Sequence, residues 1–162
     1  MLHSNIVGGS TAKRVIACPG SVALVAKMPP KPSSKYADEG TLLHEVIAEI
    51  VDKAESPRQF LGRTYEGITL TEELMNEKLL PALKALDQID PDTKMDVAVE
   101  TRVGFGEDLL PGVFGSTDLL GRIANRAYVI DWKFGDGVGV QAEENPQLLF
   151  YAAAAMRTPD VK

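Results

Sequence analysis

The chain has 162 residues, 44 % hydrophobic and 25 % charged, with a formal net charge of −6. That is apolar content for one domain with its own core, expected to span 1–162; the excess of acid argues against a broadly basic protein that coats nucleic acid, since phosphate contacts need Lys and Arg in number. No apolar run reaches the roughly 20 residues of a membrane span, Met1-Leu2-His3-Ser4 lacks the start of a signal peptide, and Cys18 is the lone cysteine, which excludes an internal disulfide and an all-cysteine metal site; a cytoplasmic protein without a membrane partner is expected.

In chain order, Gly8-Gly9 leads to Ser10 as the N-cap of a short helix that Pro19-Gly20 interrupts, and a second short helix follows Ser21. Pro29, Pro30 and Pro32 mark an extended loop. From Tyr36 to Ala54, Leu43, Val46, Ile47 and Ile50 form one apolar stripe at helical spacing, ended by Ser56-Pro57. Residues 58–68 read as a loop or a short hairpin around Gly62 and Gly67. Thr69 with Glu72 fits a capping box for a helix carrying Leu74, Leu79, Leu83 and Leu86, bent at Pro81.

The period then changes to two. Val97, Val99 and Thr101 alternate with polar residues as in a strand, Gly104 to Gly112 is a turn, and two strands follow, 113–121 and Tyr128 to Ile130, joined across Ile123-Ala124-Asn125. Gly135 to Gly139 reads as a loop flanking the site. It is not a dinucleotide loop, because no helix follows the glycines directly. Asn145-Pro146 caps a final helix running to about Met156. Helices, then three strands, then a helix make an α/β domain.

The chemistry concentrates at Asp131-Trp132-Lys133. Side chains alternate along a strand, so Asp131 and Lys133 share a face, and a hairpin would bring Asp118 to the same patch. Two acids and a lysine at a sheet edge suit phosphodiester hydrolysis assisted by a divalent cation. For Asp131 the alternative, a strand-end turn residue, is weaker, since a carboxylate in an apolar strand is costly to bury unpaired; for Asp118 the Gly-Ser-Thr neighbours also suit a turn. Lys133 would orient the attacking water and offset charge beside the phosphate, or simply pair with Asp131. Glu100 is an additional ligand or half of a surface pair with Arg102. Gln147 and Tyr151 share a helix face and could contact a phosphate or orient the lysine. Lys13, Arg14, Lys27, Lys31 and Lys35 are the best basic track for DNA, although scattered solvated lysines are as good a reading.

Four motifs, taken in order, resemble those of the PD-(D/E)XK nuclease superfamily, and within it the RecB-like branch of phage exonucleases and CRISPR-associated adaptation nucleases. They are Gly40-Thr41-Leu42-Leu43-His44, Gly115-Ser116-Thr117-Asp118, Ile130-Asp131-Trp132-Lys133 and Gln147-Leu148-Leu149-Phe150-Tyr151. The resemblance implies a restriction-endonuclease-like core, a small mixed sheet flanked by helices. It implies a Mg2+ or Mn2+ site made by His44, Asp118, Asp131 and the Trp132 carbonyl, with Glu100 as a further candidate. Asp118, Asp131, Lys133, Gln147 and Tyr151 would be the catalytic set. Some members carry an iron–sulfur cluster on one early and three late cysteines; with Cys18 alone none is expected. The family core usually continues with another strand, so the chain reads as short or as lacking a C-terminal part. The implied function is DNA hydrolysis as an exonuclease or end-processing nuclease in phage or host recombination and repair, in the host cytoplasm if phage-encoded, with DNA and a recombination or annealing protein as partners. The other reading is a non-catalytic DNA-binding or assembly module on the same fold.

Overall fold

The structure, a computed structural model, describes residues 4–29, 32–135 and 139–159. Helices α1 (Gly9–Ala17) and α2 (Ser21–Val25) come first, then the long α3 (Lys35–Lys53). A 3-10 turn, Pro57–Phe60, leads to a two-stranded hairpin of β1 (Thr64–Tyr65) and β2 (Ile68–Thr69). Next come α4 (Glu72–Leu74), a π-helical turn Met75–Leu79, α5 (Leu80–Ile89), strands β3 (Asp96–Gly104), β4 (Phe114–Ile123) and β5 (Arg126–Ile130), and α6 (Pro146–Ala155).

Local chemistry accounts for most of these boundaries. Ser34 caps α3, its side chain accepting from the Ala37 N–H, and Ala54 closes it in the left-handed conformation at φ 53°. Asn145 caps α6, accepting from the Gln147 and Leu148 N–H groups, with Pro146 supplying the preset φ of a first helical turn. Two expected caps lie elsewhere. The first helix is capped at Gly8, not Ser10, because the Thr11 hydroxyl reaches back to the Gly8 N–H at 3.0 Å. The fourth is capped at Thr71, not Thr69, since Thr69 is taken up by β2 and the Thr71 hydroxyl accepts from Leu74 N–H at 3.2 Å. The bend foreseen at Pro81 takes the form of the π-helical turn, which ends as α5 places Pro81 in its first turn, where the missing N–H costs no helical bond.

The α/β class holds: β3, β4 and β5 form one sheet in that order, between helices. All its pairings are antiparallel, with Val99 opposite Leu119, Thr101 opposite Thr117 and Leu119 opposite Ile130; the parallel pairing of a mixed sheet does not occur among the described residues. The main core joins Leu42, Leu43, Val46 and Ile47 of α3 to Leu79, Trp132 and Phe134. Each such side chain removed from water contributes roughly 1.5–3 kcal/mol. A second cluster unites Val103, Leu120, Tyr151 and Ala154. Helix α1 packs on both α6 and β4, and α3 on β3 and β4, so helices close over the sheet from several sides. Among the described residues no helix is long and apolar enough to cross a membrane.

Candidate functional site

β5 ends at Ile130, and past it burial alternates along Asp131-Trp132-Lys133-Phe134, with Trp132 and Phe134 inside. Trp132 and Phe134 are buried in the core beneath α3. Alternation then turns Asp131 and Lys133 into a cleft of about 820 Å³, where they form an ion pair. Lys78 steadies this segment, donating to the Phe134 carbonyl at 3.1 Å and to Glu39 at 2.6 Å.

Three elements bring three potential ligands together. Leu42 and Leu43 anchor α3 in the core, which turns the next residue, His44, to the cleft wall. Its ring meets Phe134 edge-on at 5.1 Å. Asp118 comes from β4 and is 7 % exposed; its Oδ2 accepts the Trp132 N–H at 2.6 Å. Glu100 comes from β3, flanked by the ladder pairs Val99–Leu119 and Thr101–Thr117, which places it across from Asp118. Its backbone is left-handed, at φ 47°, in mid-strand. For a residue other than glycine this conformation costs on the order of 1 kcal/mol or more. One ligand atom each from His44, Glu100 and Asp118 lies within 4.8 Å of the others.

These residues suit a divalent cation. His44 Nδ1 is buried, has no hydrogen-bond partner among the described residues, and stands 3.4 Å from Asp118 Oδ2. One imidazole nitrogen and two carboxylates form a donor set that accepts Mg2+ and favours Mn2+ over what oxygen alone would do.

The electrostatics have the same origin. Burial works to lower the His44 pKa, but the adjoining Asp118 carboxylate, with Glu100 and Asp131 further off, outweighs it and raises the value above the usual imidazole range. Burial, then the Asp118 charge, raises Glu100. Burial raises Asp131 too, against the pull of Lys133. Burial likewise raises the Tyr151 phenol.

The side chains expected from sequence line one cleft, in two groups. His44, Glu100 and Asp118 converge; Asp131 stands beside them, engaged by Lys133 and by Gln147, whose Nε2 donates to Asp131 Oδ1 at 2.8 Å and to the Tyr151 hydroxyl at 3.3 Å. Trp132 meets Asp118 through its N–H and, expected to offer its carbonyl, is not among the residues that line this cleft. The surface pair of Glu100 with Arg102 does not form; Arg102 lies over the Phe114 ring instead, 3.7 Å from its centroid. Of the basic track, Lys13, Arg14, Lys27 and Lys35 are exposed, while Lys31 and the middle of the Gly135–Gly139 loop lie outside the described residues.

Sequence reasoning passed over the glycines that seat Tyr151. A Cβ on Gly115 would come within 2.8 Å of the Tyr151 ring and 3.1 Å of the Gly9 nitrogen, and one on Gly9 would overlap that ring outright. The available signal is Gly8-Gly9 directly ahead of a helix, a pair that by itself indicates only the lead-in to an N-cap at Ser10.

Fold and cleft together define a small α/β protein with a His–Glu–Asp cluster beside an acid–lysine pair. The family model described as "Protein of unknown function (DUF2800)" matches residues 3–161, and the chain belongs to that family. No solved structure matches the chain.

Proposed function

We propose that the protein is a divalent-metal-dependent deoxyribonuclease of the PD-(D/E)XK, RecB-like kind, acting as an exonuclease or DNA-end processing enzyme in phage or host recombination and repair. The observation that carries this reading is the convergence of His44, Glu100 and Asp118 within 4.8 Å, next to Asp131 and Lys133 in one cleft.

A bound Mg2+ or Mn2+ would supply Lewis-acid polarisation of the scissile phosphate. His44, Glu100 and Asp118 would hold it. The Trp132 N–H fixes the orientation of Asp118, and the edge of Phe134 that of His44. Lys133, paired with Asp131 in the same cleft, offsets the charge gathering on the phosphate and directs the attacking water. Asp131 holds the ammonium in place until substrate draws it away, and Gln147 fixes Asp131 from behind.

The test is incubation of end-labelled linear DNA and closed circular DNA with Mn2+, Mg2+ or EDTA, beside Lys133→Ala and Asp118→Ala. Metal-dependent loss of the linear form alone, abolished by both substitutions, is the expected result. Folded protein that binds DNA but cleaves neither form would point to the non-catalytic module, a reading that the net charge of −6 favours and the cluster opposes. Activity that persists in Asp118→Ala would overturn the site assignment.

A further inference from the structure

The cation cluster accounts for one phosphate of a bound strand, but the cleft continues past it. Counting along β3, Arg102 lies two residues beyond Glu100, roughly 6–7 Å at the rise of a strand, a distance comparable to that between neighbouring phosphates on a nucleic-acid strand. Arg102, Phe114 and Ser116 all line this part of the cleft, and Ser116 is the ladder partner of Arg102 on β4.

Charge pairing distinguishes Arg102 from the other basic group there. Glu45, Glu100, Asp118 and Asp131 line the same cleft, an environment hostile to a polyanion. Lys133 is already paired with Asp131. Arg102, although it shares the cleft with four carboxylates, makes no ion pair among the described residues; its guanidinium carbon sits over the Phe114 ring, 3.7 Å from the centroid. A ring contact of this kind steadies the guanidinium without consuming its N–H donors, the fork that binds phosphate oxygens bidentately. An arginine held in this way, free of carboxylate and exposed to the cleft, is organised for an anion that has yet to arrive.

Resting on the nuclease reading above, we infer that Arg102, seated on Phe114 and flanked by Ser116, forms a phosphate subsite. It takes the phosphodiester one nucleotide from the one held at the His44–Glu100–Asp118 cluster. Its ligand is a single nucleic-acid strand, gripped by its backbone, and its contribution is positioning rather than chemistry.

The experiment measures binding of a short fluorescent single-stranded oligodeoxynucleotide by anisotropy. Ca2+ replaces Mn2+ so that the strand is held and not cut, and the titration is repeated over a range of salt. Wild type is compared with Arg102→Ala, Arg102→Lys and Phe114→Leu, with Mn2+ binding by calorimetry and thermal melting as controls. Arg102→Ala should bind about 10-fold more weakly and flatten the dependence of log affinity on log salt by about 0.7, the share of one phosphate contact on a single strand. Arg102→Lys should keep the salt slope but lose part of the affinity, since it retains the charge without the fork. Phe114→Leu should fall between, and Mn2+ affinity should be unchanged in all three. If Arg102→Ala binds with wild-type affinity and slope, the subsite is wrong and the nuclease reading survives. If wild type binds Mn2+ but no oligonucleotide, the nuclease reading fails and the subsite falls with it.

Discussion

Gln147 on α6 donates to Asp131 at 2.8 Å, so the last helix of the described chain holds the acid that the Asp-Trp-Lys motif brings to the cleft. The same Nε2 reaches the Tyr151 hydroxyl at 3.3 Å, one helical turn on. The Gln-x-x-x-Tyr spacing thus serves a single carboxylate. Gln147→Ala should lower metal-dependent cleavage by roughly 10–100-fold, the usual cost of losing a group that orients an active residue. Calorimetric Mn2+ affinity should stay near wild type, because Asp131 stands outside the three-residue cluster. A large loss of Mn2+ affinity would move Asp131 into the ligand set.

Glu100 offers a second test, because its backbone and side chain pull in opposite directions. Glycine at this position relieves the left-handed strain at φ 47° and removes a half-buried carboxylate. Glu100→Gly should therefore melt higher, by an amount on the order of 1 kcal/mol, and yet bind Mn2+ more weakly. Glu100→Ala should lose the metal without the relief of strain. If both variants melt alike, the strain carries no energetic weight.

The glycines give a contrast within one experiment. Gly115→Ala forces its methyl against the Tyr151 ring and should cost about 1–3 kcal/mol, as overpacking does. Because displacing Tyr151 disturbs Gln147, cleavage should fall as well. Gly40, inside α3 with open space where its Cβ would be, should gain about 0.5–1 kcal/mol on replacement by alanine. Denaturant titration of the two variants checks both signs.

Stability against pH follows from His44, Glu100 and Asp131, all of which have pKa values raised by folding. Each binds its proton more tightly folded than unfolded, so its contribution is complete below the unfolded value and is lost as pH rises through the folded one. For the carboxylates that window opens above about 4, and for the imidazole above about 6.5. In EDTA the protein should melt higher near pH 5.5 than near pH 8, more steeply than His44→Gln. Saturating Mn2+ should reverse the trend, because the cation must displace the same protons.

Much of this architecture was legible in the sequence where the signal was local. The stripe along α3, the strand alternation and the Asn145-Pro146 cap each rest on residues a few positions apart, and the structure places those elements within a few residues of expectation. The same holds for the pairing of Asp118 and Asp131 in one cleft, because a tight β4–β5 hairpin fixes their register. What remained hidden depends on distant partners. Glu100 could be ranked only as a further candidate, since neither its left-handed backbone nor its place opposite Asp118 follows from its neighbours in sequence. Arg102 reads as the natural partner of Glu100, two residues away, until the register brings Phe114 beneath it. The π-helical turn before Pro81 carries no pattern of its own.

The packing of Gly9 against Tyr151 has a consequence for how the cleft comes into being. Translation delivers α1, the histidine helix, all three strands and the Asp-Trp-Lys segment well before α6. Until α6 is made, α1 lacks the helix it packs on, Asp131 lacks Gln147, and the second core cluster lacks Tyr151 and Ala154. Contacts between such remote stretches of chain also close late in folding. The nascent protein therefore carries the His44–Glu100–Asp118 cluster on elements already made, and only the helix that follows supplies the Gln147 and Tyr151 that complete the cleft wall beside Asp131.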